Sequence, residues 1–360
     1  MKILYAIQGT GNGHLSRARD IIPVLKQKAE VDILISGEQA DVELPYEITY
    51  RFKGLGFIFG KKGGIDLIKT YKKANLKRLF KEINSLPIEK YDIVINDFEP
   101  VSAWACYKKN KSCISLSHQA AVLNSNAPQP KHIDLMGKSI LKNYAPTTFQ
   151  YGFHFEAYDA NIFTPVIRKE IREVTVTQKE HYTVYLPAYD DERIVKVLGL
   201  FKDVQWQVFS KHNKKSRNYK NISIFPITNE AFIKSMAAAK GILCGAGFET
   251  PAEALYLQKK LLVIPMKGQY EQHCNAAALK HLGVPVVKSL RKKNADKIRQ
   301  WLLSDKKVIV NYPDITTSII DSLVAKANNC TKPLLPGSKI SSAKKFREIN
   351  LKKIIIQLVK

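Results

Sequence analysis

The chain alternates short β-branched runs with segments of helical periodicity, and it does so twice. In the first half, strands fit "KILYAI", "VDILIS", "EITYRF", "YDIVINDF" and "SCISLS", with helices beginning near His14 and near Pro100. The series restarts at "HYTVYLP" and continues through "VQWQVFS", "NISIFPI", "GILCGAG", "KLLVIPM" and "VPVVKS". Such alternation is the mark of parallel α/β units, so the restart predicts an α/β chain of two Rossmann-like domains with a cleft between them. At 360 residues the chain is also longer than a single core usually grows. The polar, proline-containing passage "FTPVIRKEIREVTVTQKE" (163–180) sets the division. The expected organisation is an N-terminal domain over 1–164, a linker over 165–180, a C-terminal domain over 181–327 and a basic tail over 328–360.

Open parallel sheets bind ligands beyond the carboxyl ends of their strands, and both glycine-rich stretches of this chain fall there. The first, "GTGNGHLSRARD", has Gly9, Gly11 and Gly13 to let the backbone turn, and His14 opening a helix. It fails the dinucleotide fingerprint, because His14 stands at the last glycine, and it lacks the GK[ST] of a P-loop. The "GKS" at Gly137–Ser139 has His132 where the first glycine belongs. An imidazole at the cleft suits a general base, since its ordinary pKa lies near neutrality. A histidine that merely packs the helix start is the structural alternative.

The second stretch is "GILCGAGFETPAEALYLQKKLLVIPMKGQYEQHCNAAAL". A strand ends at Cys244, and Gly245, Ala246, Gly247, Phe248 and Glu249 lead to a helix starting near Thr250 or Pro251. Thr250 fits an N-cap and Pro251 the first turn. The N–H groups of such a terminus, backed by the helix dipole, hold a diphosphate without a metal. Glu253, one turn in, can accept hydrogen bonds from a ribose diol. Glu271 and Gln272 open the next helix, where carboxylate and amide can read sugar hydroxyls. "NDFEP" and "SLSHQ" put Asp97, Glu99 and His118 on the same face of the first sheet; Asp97 or His118 can assist or replace His14. Asp97-Phe98-Glu99 looks superficially like a metal-binding DxD, but it lies opposite the diphosphate loop, and no metal is expected.

These two loops resemble the GT-B glycosyltransferases, specifically the MurG-type and related diacylglycerol glycosyltransferase branch, over residues 1–325. The resemblance implies a UDP-sugar co-substrate, no cofactor, and inversion at the anomeric carbon. It places the family's ribose glutamate on Glu253, its donor-sugar pair on Glu271 and Gln272, and its N-terminal histidine on His14, with Gly11, Asn12 and Gly13 forming the acceptor-side loop. The first of the pair is Glu where the family has Gln, and "GTGNGH" carries one residue more than the family's "GTGGH". A UDP-sugar 2-epimerase of the same architecture and a non-catalytic sugar-nucleotide scaffold are the alternatives.

The formal charge of +25 implies attraction to something anionic. Lysines interleave with apolar residues over 61–83 and 339–360, as in helices that lie on an anionic bilayer; an ordinary basic surface is the other reading. No nucleic-acid signature accompanies the charge. No apolar run reaches the roughly 20 residues a membrane span needs, so the expectation is a cytoplasmic protein, peripheral on the inner membrane face. The five cysteines are odd in number and lack a CxxC pair, against both a disulfide framework and a zinc site. They are expected to be reduced, buried thiols.

Overall fold

The computed structural model describes residues 1–37, 44–55, 59–60, 64–65 and 75–329. The first half forms β1 (Lys2–Gln8), β2 (Glu30–Ser36) and β3 (Tyr50–Phe52), then a separate antiparallel pair, β4 (Phe59–Gly60) and β5 (Gly64–Ile65). It continues with β6 (Ile93–Asp97), β7 (Ile114–Ser117), β8 (Phe149–Phe153) and β9 (Ile162–Phe163). Seven of these make one wholly parallel sheet in the order β3-β2-β1-β6-β7-β8-β9. The second half forms β10 (His181–Tyr185), β11 (Gln205–Ser210), β12 (Arg217–Tyr219), β13 (Ile222–Pro226), β14 (Gly241–Gly245) and β15 (Lys260–Ile264). Their order is β12-β13-β11-β10-β14-β15, and only β12 runs antiparallel.

Strands covered on both faces read as continuous apolar runs rather than alternating ones, and β1 shows why. Every residue from Ile3 to Ile7 is fully buried. Strand order reverses between β1 and β6 in the first sheet and between β10 and β14 in the second. Those two reversals open the crevices in which such sheets take ligands.

The helices are α1 (Asn12–Lys28), α2 (Leu76–Ser85), α3 (Pro100–Lys109), α4 (His118–Val122), α5 (Leu135–Tyr144), α6 (Lys169–Glu173), α7 (Asp191–Leu198), α8 (Asn229–Ala238), α9 (Glu249–Tyr256), α10 (Tyr270–His281), α11 (Ala295–Leu303) and α12 (Thr316–Asn329). One apolar core, with Trp104, Leu79 and Ile83, covers one face of the first sheet. Another, with Trp206 and Trp301, covers one face of the second. A third runs continuously through both halves and includes Phe155, Phe248 and the α12 residues Ile319, Ile320 and Leu323.

Several expectations are amended. α12, grouped with the C-terminal half on sequence grounds, packs on α1 of the first half, and Lys28 pairs with its Asp321 at 2.8 Å. "VPVVKS" makes only a single bridge, Val263 to Val286, instead of a strand. β8 and β9 were not anticipated, since "FQYGF" mixes glutamine and glycine into its aromatics and β9 is two residues long. Within 61–83, α2 turns Leu79 and Ile83 into the core and leaves Lys77 and Lys81 exposed. Its apolar face is therefore spent on packing. Residues 66–74, the tail over 339–360 and Cys330 lie outside the described residues. Cys106, Cys113, Cys244 and Cys274 are buried free thiols. Among the described residues, no helix is long and apolar enough to cross a membrane.

Candidate functional site

The first crevice is built by β1 and β6. Gly11, the residue before α1, has φ +98°, a conformation that side chains other than glycine rarely adopt, and it lets α1 rise steeply off β1. His14 lies in the first turn of α1. Asp97 is the last residue of β6 and pairs in register with Ile7 of β1, so the two strands at the reversal bring the side chains together. His14 Nδ1 lies 2.8 Å from Asp97 Oδ1. Arg17, one turn further along α1, donates to both Asp97 oxygens at 2.8 and 2.7 Å. Burial alone would raise the Asp97 carboxyl, but Arg17 and His14 outweigh it and hold the group below its usual value. An ionised Asp97 accepts a hydrogen bond from the Nδ1–H of His14, which leaves the lone pair on Nε2. The His14 side chain is 13% exposed.

The second crevice lies beyond β14. α9 begins at Glu249 with Phe248 as its N-cap, and no side chain caps it. Thr250 is thus the second residue of the helix rather than its cap. The first-turn N–H groups are left for a ligand or water. In front of them lies a cavity of about 680 Å³. Gly247, Phe248, Glu249, Thr250 and Glu253 line it from one side, Gly11, Asn12, Gly13 and His14 from the other, with Glu271 and Gln272 of α10. Gly245 and Ala246 do not line it; Ala246 is buried, and its carbonyl accepts from Asn275 at 3.1 Å.

Charges around this cavity are paired across the cleft. Arg17 also donates to Glu249, and a Cβ on Gly13 would come within 3.0 Å of Glu249 Cγ, so that glycine permits the close approach of α1 to α9. Arg168 grips both oxygens of Glu253, with Nη2 at 2.9 Å, and donates to Asn229 at 2.6 Å. Asp97, Glu249 and Glu253 are thus met by two guanidinium groups, and the cavity lining as a whole carries Arg17, Arg19, Arg168 and Lys211 against Glu249, Glu253 and Glu271. Burial, opposed by Arg17 and reinforced by Glu253, pushes the Glu249 carboxyl up to about 7. Arg19 and Lys211 add further cations to the lining, and Tyr185, Ile227 and Phe232 give it an apolar corner.

On α10, Gln272 Oε1 accepts from the Met266 N–H at 2.8 Å, which fixes the amide and leaves its NH₂. Glu271 accepts from Gln119 at 3.0 Å. Glu271 and His14 also line a second cavity, of about 300 Å³, walled by Phe98, Met136, Ile140, Leu141 and Tyr270. His14 thus stands on a wall common to two cavities.

Two candidates are not placed as bases. His118 is 2% exposed, and its Nδ1 lies 2.8 Å from the Phe153 carbonyl and its Nε2 2.7 Å from Asn275 Oδ1. Its ring stacks on Phe248 at 3.9 Å, and burial lowers its pKa. It fastens the two halves together with no nitrogen left for substrate. Asp97 is fully buried behind His14 and orients it. Glu99 caps α3, accepting from the N–H groups of Val101 and Ser102, so the DxD-like carboxylates both serve protein groups. The sequence reading missed Arg17 and Arg168. Arg17 had a signal in its spacing of three from His14, which puts both on one helix face; Arg168 had none, since its partner is distant in the chain.

Comparison with known proteins gives the fold and the family. No curated protein matches the chain in sequence. Among solved structures, MurG of Acinetobacter baumannii is 14% identical with a TM-score of 0.55, covering 90% of this chain and 99% of that one. UGT89C1 of Arabidopsis thaliana, complexed with UDP, is 12% identical with a TM-score of 0.56, covering 98% and 99%. The spinosyn rhamnosyltransferase SpnG, complexed with thymidine diphosphate, is 11% identical with a TM-score of 0.52, covering 97% and 100%. These likenesses give the fold, which is GT-B. The description of glycosyl transferase family 1 matches residues 1–304. With that match spanning most of the chain, the protein is a glycosyltransferase and belongs to glycosyl transferase family 1.

Proposed function

We propose that this glycosyltransferase moves a sugar from a UDP-sugar to an acceptor hydroxyl, with inversion and without a metal. The observation that carries the reading is His14, held by Asp97 on the wall between two cavities, one of them floored by the uncapped end of α9. In this reading the diphosphate sits against the N–H groups of Gly247 to Thr250, where the helix dipole stabilises the charge that develops on the leaving group. Arg19 and Lys211 supply further positive potential. Glu253, gripped by Arg168, keeps unused lone pairs for the ribose hydroxyls, and the Tyr185, Ile227 and Phe232 corner receives the base. The Gln272 amide and the Glu271 carboxylate meet the donor sugar.

The acceptor hydroxyl approaches from the second cavity. His14 Nε2 takes its proton, the oxygen attacks the anomeric carbon from the face opposite the diphosphate, and the C–O bond to UDP breaks. Asp97 stabilises the imidazolium that forms. The second cavity also favours transfer over 2-epimerisation, which needs no acceptor.

Placement on an anionic membrane face belongs to the same proposal. It is supported by the charge of +25 and by the exposed apolar pair Leu135 and Met136, 76% and 58% exposed, of which Met136 lines the second cavity. The decisive assay incubates the enzyme with a UDP-sugar panel, with and without an acceptor extract, in EDTA. Acceptor-dependent release of UDP is the expected result. A 2-epimer formed from the UDP-sugar alone would overturn transfer.

A further inference from the structure

Resting on the transfer reading, we infer that Glu249 is a further catalytic residue. In its neutral form it donates a proton to the diphosphate that parts from the sugar, an acid on the donor half to match the base on the acceptor half.

The position of the side chain carries the inference. Glu249 is the first residue of α9 and lines the large cavity beside Gly247 and Thr250. A carboxylate there could turn back onto the first-turn N–H groups of its own helix, yet it caps none of them. It crosses the cleft to Arg17 instead, and only through Oε1. Oε2 has no protein partner among the described residues, and the side chain is 18% exposed. A diphosphate on the free N–H groups therefore lies against a carboxyl with one oxygen unengaged. Ionised, that oxygen would repel the ligand. Protonated, it is an O–H donor aimed at the place where negative charge grows.

The surroundings favour the acid. Facing Glu249 are Tyr5 on β1, His14 and Arg17 on α1, Asp97 at the end of β6, Arg168 before α6 and Glu253 on α9. Arg17 gives two hydrogen bonds to Asp97, at 2.8 and 2.7 Å, and one to Glu249. Arg168 is engaged by Glu253. One guanidinium thus joins two carboxyls of opposite character: Asp97 is held ionised, while burial, against Arg17 and with Glu253, keeps Glu249 up at about 7. Two acids whose surroundings drive them apart in this way mark an acid and base assignment, and here the low one orients His14.

The step balances as follows. The acceptor O–H gives its proton to His14 Nε2, and the acceptor oxygen bonds to the anomeric carbon. The bond from that carbon to the β-phosphate oxygen breaks with its electron pair on oxygen, and the β-phosphate takes the Glu249 proton. UDP leaves with that proton. Exchange with water then deprotonates His14 and reprotonates Glu249.

The test uses the full chain in EDTA. UDP is titrated calorimetrically at pH 8 in two buffers of different ionisation enthalpy, which counts the protons taken up. The wild type should take up roughly half a proton or more per UDP, because Glu249 is mostly ionised when free at that pH and neutral when bound. His14→Gln should keep this uptake and Glu249→Gln should lose it. Glutamine keeps the shape and a hydrogen-bond donor but has no proton to transfer. At pH 6, Glu249→Gln should therefore lower kcat roughly tenfold or more while UDP affinity and the donor KM stay within about threefold. No proton uptake by the wild type, uptake that survives Glu249→Gln, or a variant kcat within about twofold of wild type would overturn the inference. The wild-type proton count needs no variant, so a Glu249→Gln chain that fails to fold still leaves the inference open to refutation. Failure of the wild type to bind UDP would instead overturn the donor reading.

Discussion

The proposed base role of His14 rests on Asp97 holding one ring nitrogen of a residue that lines both cavities. His14→Ala should lower transfer by roughly 10²-fold or more, the scale of general-base catalysis, with UDP affinity nearly unchanged; steady-state rates beside calorimetry check this. Glu249 adds a pH dependence whose sign follows from its neighbours. The groups facing it are Arg17 and His14 on α1, Asp97 on β6 and Glu253 on α9. Its folded pKa of about 7 lies above the ordinary 4.5, so its neutral form stabilises the fold. That contribution is complete below 4.5 and is lost as pH rises through about 7. Relative to Glu249→Gln, the wild type should lose roughly 1–3 kcal/mol of unfolding free energy between those pH values, measured by urea denaturation. An incoming diphosphate also favours the protonated carboxyl. UDP affinity should therefore fall above pH 7, by up to about tenfold per unit, in the wild type and not in Glu249→Gln. His14, Glu271 and Gln272 were legible as single letters after a strand. The Arg17 bridge was not, because a buried guanidinium between two carboxylates is a fact of tertiary contact that local spacing only hints at.

α9 is the element on which the proposed donor binding turns. A Cβ on Gly247 would meet nothing within 4 Å, and the residue lines the large cavity. Gly247→Ala should leave stability within about 0.5 kcal/mol, as substitutions away from packed features usually do, yet weaken UDP binding by crowding the diphosphate. Thermal denaturation beside calorimetry separates the two effects. Glu253 needs a more careful substitution. Glu253→Ala strands the buried Arg168 charge and costs about 3–5 kcal/mol, which would mask its part in binding. Glu253→Gln keeps the shape and one acceptor oxygen, and should weaken UDP binding roughly tenfold through loss of the charge-assisted contact. The strand-turn-helix succession here was readable, since β14 is a continuous apolar run ending in glycines. Its exact start was not: Thr250 has cap chemistry, but the backbone turns two residues earlier, at Phe248. β8 escaped notice because its residues carry neither alternation nor a β-branched run, and its strand state is set by pairing with β7.

At the scale of the whole molecule, the two sheets are fastened across a closed cleft. Arg17 reaches Glu249, Gln119 reaches Glu271, His118 reaches Asn275, and Tyr312 donates to the Phe155 carbonyl at 3.0 Å. α12 carries the chain back onto α1, so the last described helix ties the halves together from behind. The doubled α/β succession announced two sheets, but nothing local in "TTSIIDSLVAKANN" says that it crosses to the other half. The central claim is that the end of α9 holds a uridine diphosphate while His14 serves only the chemistry. The most direct measurement is a calorimetric titration of UDP into wild type, His14→Ala and Glu253→Gln, each in EDTA and in magnesium. The account predicts metal-independent binding, equal within about twofold in wild type and His14→Ala and weakened roughly tenfold in Glu253→Gln. Failure of the wild type to bind UDP, or an absolute need for magnesium, would contradict it.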